Sequence, residues 1–190
     1  MLPNEETLDP RVRRTRQLIE EAFLALLGEK TLHAMTVGDI ANRAGINRAT
    51  FYSHFFDKYA LFSHVVRKTF LLTLREHLPA DAAYSPENVQ ALVRAVCHYF
   101  VYLNSQCPPS DRQLRPVAET EVQAVVCKTL GRWLQERPEV ENAELTATYL
   151  SWAIFGAGLE WIGNRSEQAV GETATAICVL VEKTLQSSTH

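Results

Sequence analysis

The stretch Thr36 to Phe62, TVGDIANRAGINRATFYSHFFDKYALF, constrains the fold of this chain more than any other. Thr36 is placed to cap a short helix: its hydroxyl can accept from the backbone N–H of Asp39 while the Asp39 carboxylate reaches back, beside the positive end of the helix dipole. That helix starts near Val37 with Ile40, Ala41 and Ala44 on one face. It stops at Gly45, where a left-handed backbone costs no side-chain clash. Asn47 is a good cap for the next helix, in which Phe51 and Phe55 lie four apart and turn inward beside Ile46. Its other face carries Arg48, Thr50, Ser53 and His54. Two short helices joined by a glycine-containing turn, the second displaying hydrogen-bonding side chains, form a helix-turn-helix. Its second helix, Asn47 to Phe55, has the geometry that fits the DNA major groove.

The charge distribution points the same way. The 190-residue chain has a formal net charge of -3, yet residues 11–68 hold ten Lys/Arg against five Asp/Glu, and residues 69–190 hold nine against fourteen. The segment with the helix-turn-helix is thus +5 and the remainder -5, with three further acids in the first ten residues. A basic excess at one end favours a polyanionic partner there. No apolar run is long enough to span a bilayer and no basic-then-apolar segment opens the chain, so no membrane association is expected and the expected location is cytoplasmic. Cys97, Cys107, Cys127 and Cys178 have no spacing that suits zinc and are expected as reduced thiols, with Cys107 beside Pro108-Pro109 the one candidate for redox chemistry. No metal or cofactor is expected.

Taken in order, Met1 to Leu8 is polar and order is expected from about residue 9. Asp9-Pro10 is a helix start, and Val12, Ile19, Phe23 and Leu26 repeat at helical spacing until Gly28. This helix is expected to buttress the helix-turn-helix with Leu18, Ala22, Phe23 and Leu27 as core. Arg11, Arg13, Arg14 and Arg16 cluster at its start, as phosphate or minor-groove contacts or as a solvated basic face. Asp57 looks like the cap of a helix from Lys58 to about His77, ended by Pro79. After a linker at Ala80 to Tyr84, Ser85-Pro86-Glu87 starts a helix whose Val89, Val93, Val96, Phe100 and Leu103 form a stripe ending at Cys107. Pro116 opens another, lined by Val122, Val126, Leu130 and Trp133 and stopped by Pro138. Two last helices, about 142–162 and 167–185, flank Gly163-Asn164. The first is apolar on nearly every side, so one side is expected to meet its own domain and the other a second subunit, with Gly156 and Gly158 permitting close approach. Two helices from each subunit would make a four-helix interface.

The run Thr-Val-x-Asp-Ile-Ala-x-Arg-Ala-Gly-Ile-Asn-Arg-Ala-Thr-Phe-Tyr-x-His-Phe-x-Asp-Lys-x-x-Leu resembles the DNA-binding domain of the TetR (tetracycline-repressor-like) family of transcriptional regulators. With the preceding helix the likeness covers residues 11–63. The resemblance implies an all-α homodimer, with a three-helix helix-turn-helix domain over residues 1–63 and a larger helical domain over residues 64–190 for dimerisation and ligand binding. Carried over position by position, it implies DNA contacts at Thr36, Arg48, Thr50, Tyr52, His54 and Lys58. Thr36, Tyr52, His54 and Lys58 suit phosphates, which fix register without reading sequence. Asn47 heads the recognition helix. Arg48, Ala49, Thr50 and Ser53 are better placed for base edges: Arg48 for a bidentate pair with guanine, Ala49 or Thr50 for a thymine methyl.

The larger domain has no comparable motif. His98, Tyr102, Gln123, Tyr149 and Trp152 are the candidates to line a ligand cavity, although polar and aromatic residues on helices are more often surface or core. A ligand-released repressor is what the resemblance implies, with an apolar or aromatic small-molecule effector favoured by the aliphatic and aromatic content. The wholly helical pattern with only 8 glycines, lacking Gly-x-Ser-x-Gly, a phosphate-cradling glycine loop or His-Glu-x-x-His, argues against catalysis, and no catalytic residue is assigned. A helix-turn-helix that docks protein instead of DNA remains the alternative, separable by retention on heparin or duplex DNA at low salt.

Overall fold

The computed structural model describes residues 9–106, 114–163 and 170–187. The fold is all-α. Its elements among those residues are α1 (Pro10–Leu27), α2 (Val37–Arg43), α3 (Arg48–Tyr52), α4 (Lys58–His77), α5 (Pro86–Gln106), α6 (Arg115–Gln135), α7 (Ala143–Gly163) and α8 (Val170–Ser187). They form two compact units, the first ending at Val65 and the second beginning at Val66. No described helix is long and apolar enough to cross a membrane.

In the first unit the helix ends are set by the residues that the sequence offers as caps. Asp9 accepts from the Arg11 N–H at 2.8 Å with Pro10 opening α1. Thr36 and Asp39 form the reciprocal capping box, Asp39 N–H to Thr36 Oγ1 at 3.1 Å and Thr36 N–H to Asp39 Oδ2 at 2.9 Å. Gly45 has φ +68°, and the N–H groups of Gly45 and Ile46 return to the carbonyls of Asn42 and Ala41, closing α2 with a Schellman turn. Asp57 Oδ1 accepts from the N–H groups of Tyr59 and Ala60 and so caps α4.

The core of this unit joins Ile19, Ala22, Phe23 and Leu26 of α1 to Ile40, Ala41, Phe51, Phe55, Leu61 and Phe62. Two expected α1 core residues fall elsewhere: Leu18 is 40% exposed and Leu27 half-buried. The buried stripe runs 19–22–23–26, and a residue one step along a helix from that stripe is rotated about 100° away from it. Inside the unit, His64 Nε2 and Glu20 Oε1 share a buried hydrogen bond of 2.8 Å. The His64 ring packs on Phe55 with centroids 5.3 Å apart, and the Arg16 guanidinium lies 5.3 Å from the Phe55 centroid.

In the second unit α6 packs on α7, and α5 on both α7 and α8. The stripes Val89, Val93, Val96 and Phe100 of α5, and Val122, Val126, Leu130 and Trp133 of α6, are buried as their spacing predicts. α6 begins one residue earlier than expected, at Arg115. α8 begins at Val170; the expected start at Glu167 lies outside the described residues, as does Cys107. Gly158 is where α7 meets α5: a Cβ there would come within 3.2 Å of Val96 and 3.3 Å of Phe100, whereas one at Gly156 would meet nothing within 4 Å. On α7 the buried residues are Ala147, Leu150, Ser151, Ile154, Phe155 and Gly158, while Leu145, Tyr149 and Trp152 are 70%, 59% and 57% exposed. Cys97 is buried, and burial pushes its thiol up to about 11, far from a reactive thiolate at neutral pH.

Thr36→Ala removes the cap of α2 and is expected to cost about 1 kcal/mol in chemical unfolding. The hydrogen bond from Lys30, helped by those from Thr36, holds the Asp39 carboxyl at about 2 against an ordinary 3.8. A depressed carboxyl stabilises the fold fully above its unfolded value and loses that contribution as pH falls through its folded one. Asp39→Asn should therefore lower stability at neutral pH and flatten the loss of stability between about pH 4 and 2, followed by circular dichroism at graded pH.

Candidate nucleic-acid interface

The site is built on α3. Asn47 Oδ1 accepts from both the N–H (2.7 Å) and the hydroxyl (3.0 Å) of Thr50, so the first turn is closed by one side-chain oxygen. Phe51 is fully buried and Phe55 nearly so, which anchors one side of the helix and turns the other outward. Asn47, Arg48, Ala49, Tyr52 and Ser53 are exposed; Thr50 and His54 are half-buried. Thr36 is also exposed, with its hydroxyl engaged at the α2 cap. The recognition helix is shorter than its sequence suggests. It ends at Tyr52 with Ser53 as C-cap, because the N–H groups of His54 and Phe55 both turn to the Phe51 carbonyl and the chain then passes to the Asp57 cap.

Ser53 donates its hydroxyl to the Thr50 carbonyl at 2.7 Å, so facing a base edge it presents its oxygen as an acceptor unless that bond is exchanged. Desolvation, then the charge of Arg16, lowers the His54 pKa below 6.5. At neutral pH the His54 ring is therefore mainly neutral in the free protein.

Lys58 is engaged in a way its position in the sequence does not suggest. Its ammonium, half-buried, donates to the carbonyls of Leu32, His33 and Met35 at 2.8, 3.0 and 2.7 Å. All three protons of the ammonium have acceptors within the protein, and in this geometry none is left for a phosphate. Sequence reasoning also passed over the stacking of Arg16 on Phe55, because nothing in the spacing separates Arg16 from Arg11, Arg13 and Arg14. Phe56, at the end of this surface, is 86% exposed.

The five ligand candidates in the second unit have different surroundings. His98 is exposed and its Nδ1 lies 3.0 Å from His77 Nε2. Tyr102, 44% exposed, packs on Tyr99 at 5.9 Å, and Trp152 edges onto Phe155 at 5.8 Å. Tyr149 projects from the outer side of α7. Gln123 alone is turned to the interior, donating to Ser151 Oγ at 2.9 Å. Among the described residues no group of three or more His, Cys, Asp or Glu is placed to hold a metal ion.

The model of bacterial regulatory proteins of the tetR family matches residues 19–65, the span from the middle of α1 to the first turns of α4. A curated relative, the uncharacterized HTH-type transcriptional regulator YxbF of Bacillus subtilis, is 39% identical over 66 residues. Residues 19–65 thus form a domain of the tetR type. The YxbF match takes in 34% of this chain and 17% of that protein's length. Among solved structures, a TetR-family regulator from Streptomyces coelicolor superposes with a TM-score of 0.62 at 19% identity, covering 94% of this chain and 98% of that one. The regulator FadR from Bacillus subtilis in complex with stearoyl-CoA gives a TM-score of 0.50 at 15% identity over 87% and 96%. These likenesses are of fold, and they extend beyond the helix-turn-helix to most of this chain. Helices α2 and α3, the helix-turn-helix, both lie inside the matched span.

If Lys58 acts as a three-carbonyl cap, Lys58→Met should lower unfolding stability of the DNA-free protein by about 1–3 kcal/mol, the usual range for losing a charge-assisted bond and orphaning its acceptors. An unfolding midpoint unchanged from the parent would return Lys58 to the role of a phosphate contact.

Proposed function

We propose that this TetR-family regulator acts in the cytoplasm as a homodimer on an inverted-repeat DNA operator, as a repressor released by an apolar or aromatic small molecule. One observation carries the DNA reading: a capped, anchored α3 turns Asn47, Arg48, Ala49, Tyr52 and Ser53 outward from the segment with the chain's positive charge. In this reading Arg48 and Ala49, with Thr50 and Ser53 behind them, face base edges, and Thr36, Tyr52 and His54 face phosphates. Residues 1–63 serve as the DNA-binding part and residues 64–190 as the dimerisation and effector part.

The homodimer is supported by apolar surface that the described residues leave exposed. Leu145, Tyr149 and Trp152 lie three and four apart along α7, and Val179 and Leu180 of α8 are 43% and 63% exposed. A two-fold pair of such helices buries both stripes at once, and two-fold symmetry in the protein demands it in the operator. Effector release is supported by the family and by α4, one continuous helix that starts five residues after Ser53 and runs on into the second unit. An effector bound among α4, α5, α6 and α7 that tilts α4 would alter the spacing of two recognition helices, which must match roughly 34–36 Å. A coupling of about 1–3 kcal/mol suffices to clear an operator.

Selection from random duplexes is expected to return a palindrome, with affinity falling steeply as salt rises. Arg48→Ala should cost about 1–3 kcal/mol and relax one base position in each half-site. Recovery of no enriched palindrome would sink the operator reading. Trp152→Glu with Leu180→Glu should yield a folded monomer by light scattering, with operator affinity reduced; a parent protein that is itself monomeric at micromolar concentration would remove the dimer.

A further inference from the structure

Gly38 is buried although it lies in the first turn of α2, on the face of the helix-turn-helix where Thr36 and Arg48 are exposed. What covers it is Arg48. A Cβ built on Gly38 would stand 2.5 Å from Arg48 Nη2 and 3.1 Å from both Cζ and Nε, so the guanidinium lies directly over the bare Cα, closer than any other side chain at that position would allow. Nothing in the backbone asks for glycine here. The only described glycine with a positive φ is Gly45, and a glycine inside a helix weakens it relative to alanine. The missing methyl therefore has a steric use, and its beneficiary is the first residue of α3.

We propose that Gly38 is a specificity-determining position: it seats the Arg48 guanidinium against α2 and thereby fixes which base edge Arg48 reads. The inference rests on the DNA-binding reading above and deepens it. An arginine on the surface has four rotatable side-chain bonds, and ordering its planar fork at the moment of binding costs rotamer entropy. A seat in the free protein removes part of that cost and holds the fork in one orientation, which a bidentate pair with the O6 and N7 acceptors of guanine requires. The seat is made by shape rather than by charge, since the start of a helix is its positive end and gives a cation no attraction. Any side chain at position 38 pushes the guanidinium off, cheaply, because it is the far end of a flexible chain. The outcome of substitution is then a displaced arginine on an intact fold.

The test is a double-mutant cycle on the full-length protein with the operator recovered by selection. Gly38→Ala is expected to lower operator affinity about tenfold and to weaken or shift the preference at the base position that Arg48→Ala relaxes, while in the Arg48→Ala background the same change has little further effect. Thermal unfolding of Gly38→Ala should be unchanged or slightly raised, which separates the effect from misfolding. In the free parent protein, nuclear Overhauser contacts between the Gly38 Hα protons and the Arg48 side chain are expected. Equal losses in both backgrounds, an unchanged base preference, or absence of those contacts would overturn the inference while leaving DNA binding in place. A parent protein that selects no duplex would overturn the function and this inference together.

Discussion

Three backbone carbonyls, those of Leu32, His33 and Met35, converge on one ammonium, and the geometry of the DNA-binding unit depends on that convergence. They belong to the segment between α1 and α2; the ammonium belongs to the first residue of α4. The bond set closes a loop of 23 to 26 residues that contains the whole of α2 and α3, so the helix-turn-helix is held at both ends. An ammonium suits the task because its three protons point in separate directions along a flexible stem; the planar fork of an arginine would satisfy two carbonyls in one plane and leave the third. The salt bridges around the same loop, Lys30 to Asp39 at 2.9 Å and Arg43 to Glu29 at 2.7 Å, are exposed enough that solvent screening leaves them little energy. They trim the loop that Lys58 closes.

Behind that loop lies a column of alternating polar and aromatic groups: Arg16, Phe55, His64 and Glu20. It joins α1, the turn that follows α3, and α4. An all-apolar packing of the same volume would commonly be as stable or more so, since desolvating a polar pair offsets most of what its attraction returns. What the column adds is direction. A Leu at position 64 could pack against α1 in several rotations, whereas a hydrogen bond of 2.8 Å between Nε2 and Oε1 admits few, and the ring it orients is the one Phe55 rests on. Phe55 in turn fixes where the chain leaves α3.

Local chemistry explains why some of this could be read in advance. Asp9, Thr36, Asn47 and Asp57 act on N–H groups two or three residues away, so each cap announces itself within a few letters of sequence, and all four bond as their positions suggest. The 3–4 spacing likewise identified the buried stripes of α5 and α6. In α1 it failed by one step, because apolar residues at 18, 19, 22, 23, 26 and 27 satisfy two neighbouring stripes equally well and only the packing of α2 chooses. Lys58 illustrates a second limit: its acceptors lie more than twenty residues upstream, and backbone carbonyls leave no mark on a sequence. The cover over Gly38 was invisible for the same reason, a glycine ten residues from its arginine being legible only once the turn folds them together.

The outward face of α7 follows from how its inward face is locked. Ser151 is fully buried, donating to the Thr148 carbonyl of its own helix at 2.7 Å and accepting from Gln123 of α6 at 2.9 Å, and it is the bond from Gln123 that depends on how α7 is rotated. Four residues on, Phe155 sets its ring nearly at right angles to Phe100 of α5, and seven residues on Gly158 brings the backbone against Val96 and Phe100, where a side chain would crowd both. A turn of α7 that tucked Tyr149 or Trp152 inward would break the bond between Gln123 and Ser151, at a cost of about 1–3 kcal/mol where the amide is left unmet, and would drive a side chain into α5 at Gly158's place. Hydrophobic burial on the order of 25 cal/mol per Å² of apolar surface rewards covering those aromatic rings, but the lock keeps Tyr149 and Trp152 on the exposed side of α7. The apolar character that makes α7 look buried on all sides is thus divided by one serine and one glycine into a half that belongs to this chain and a half left for another surface to cover.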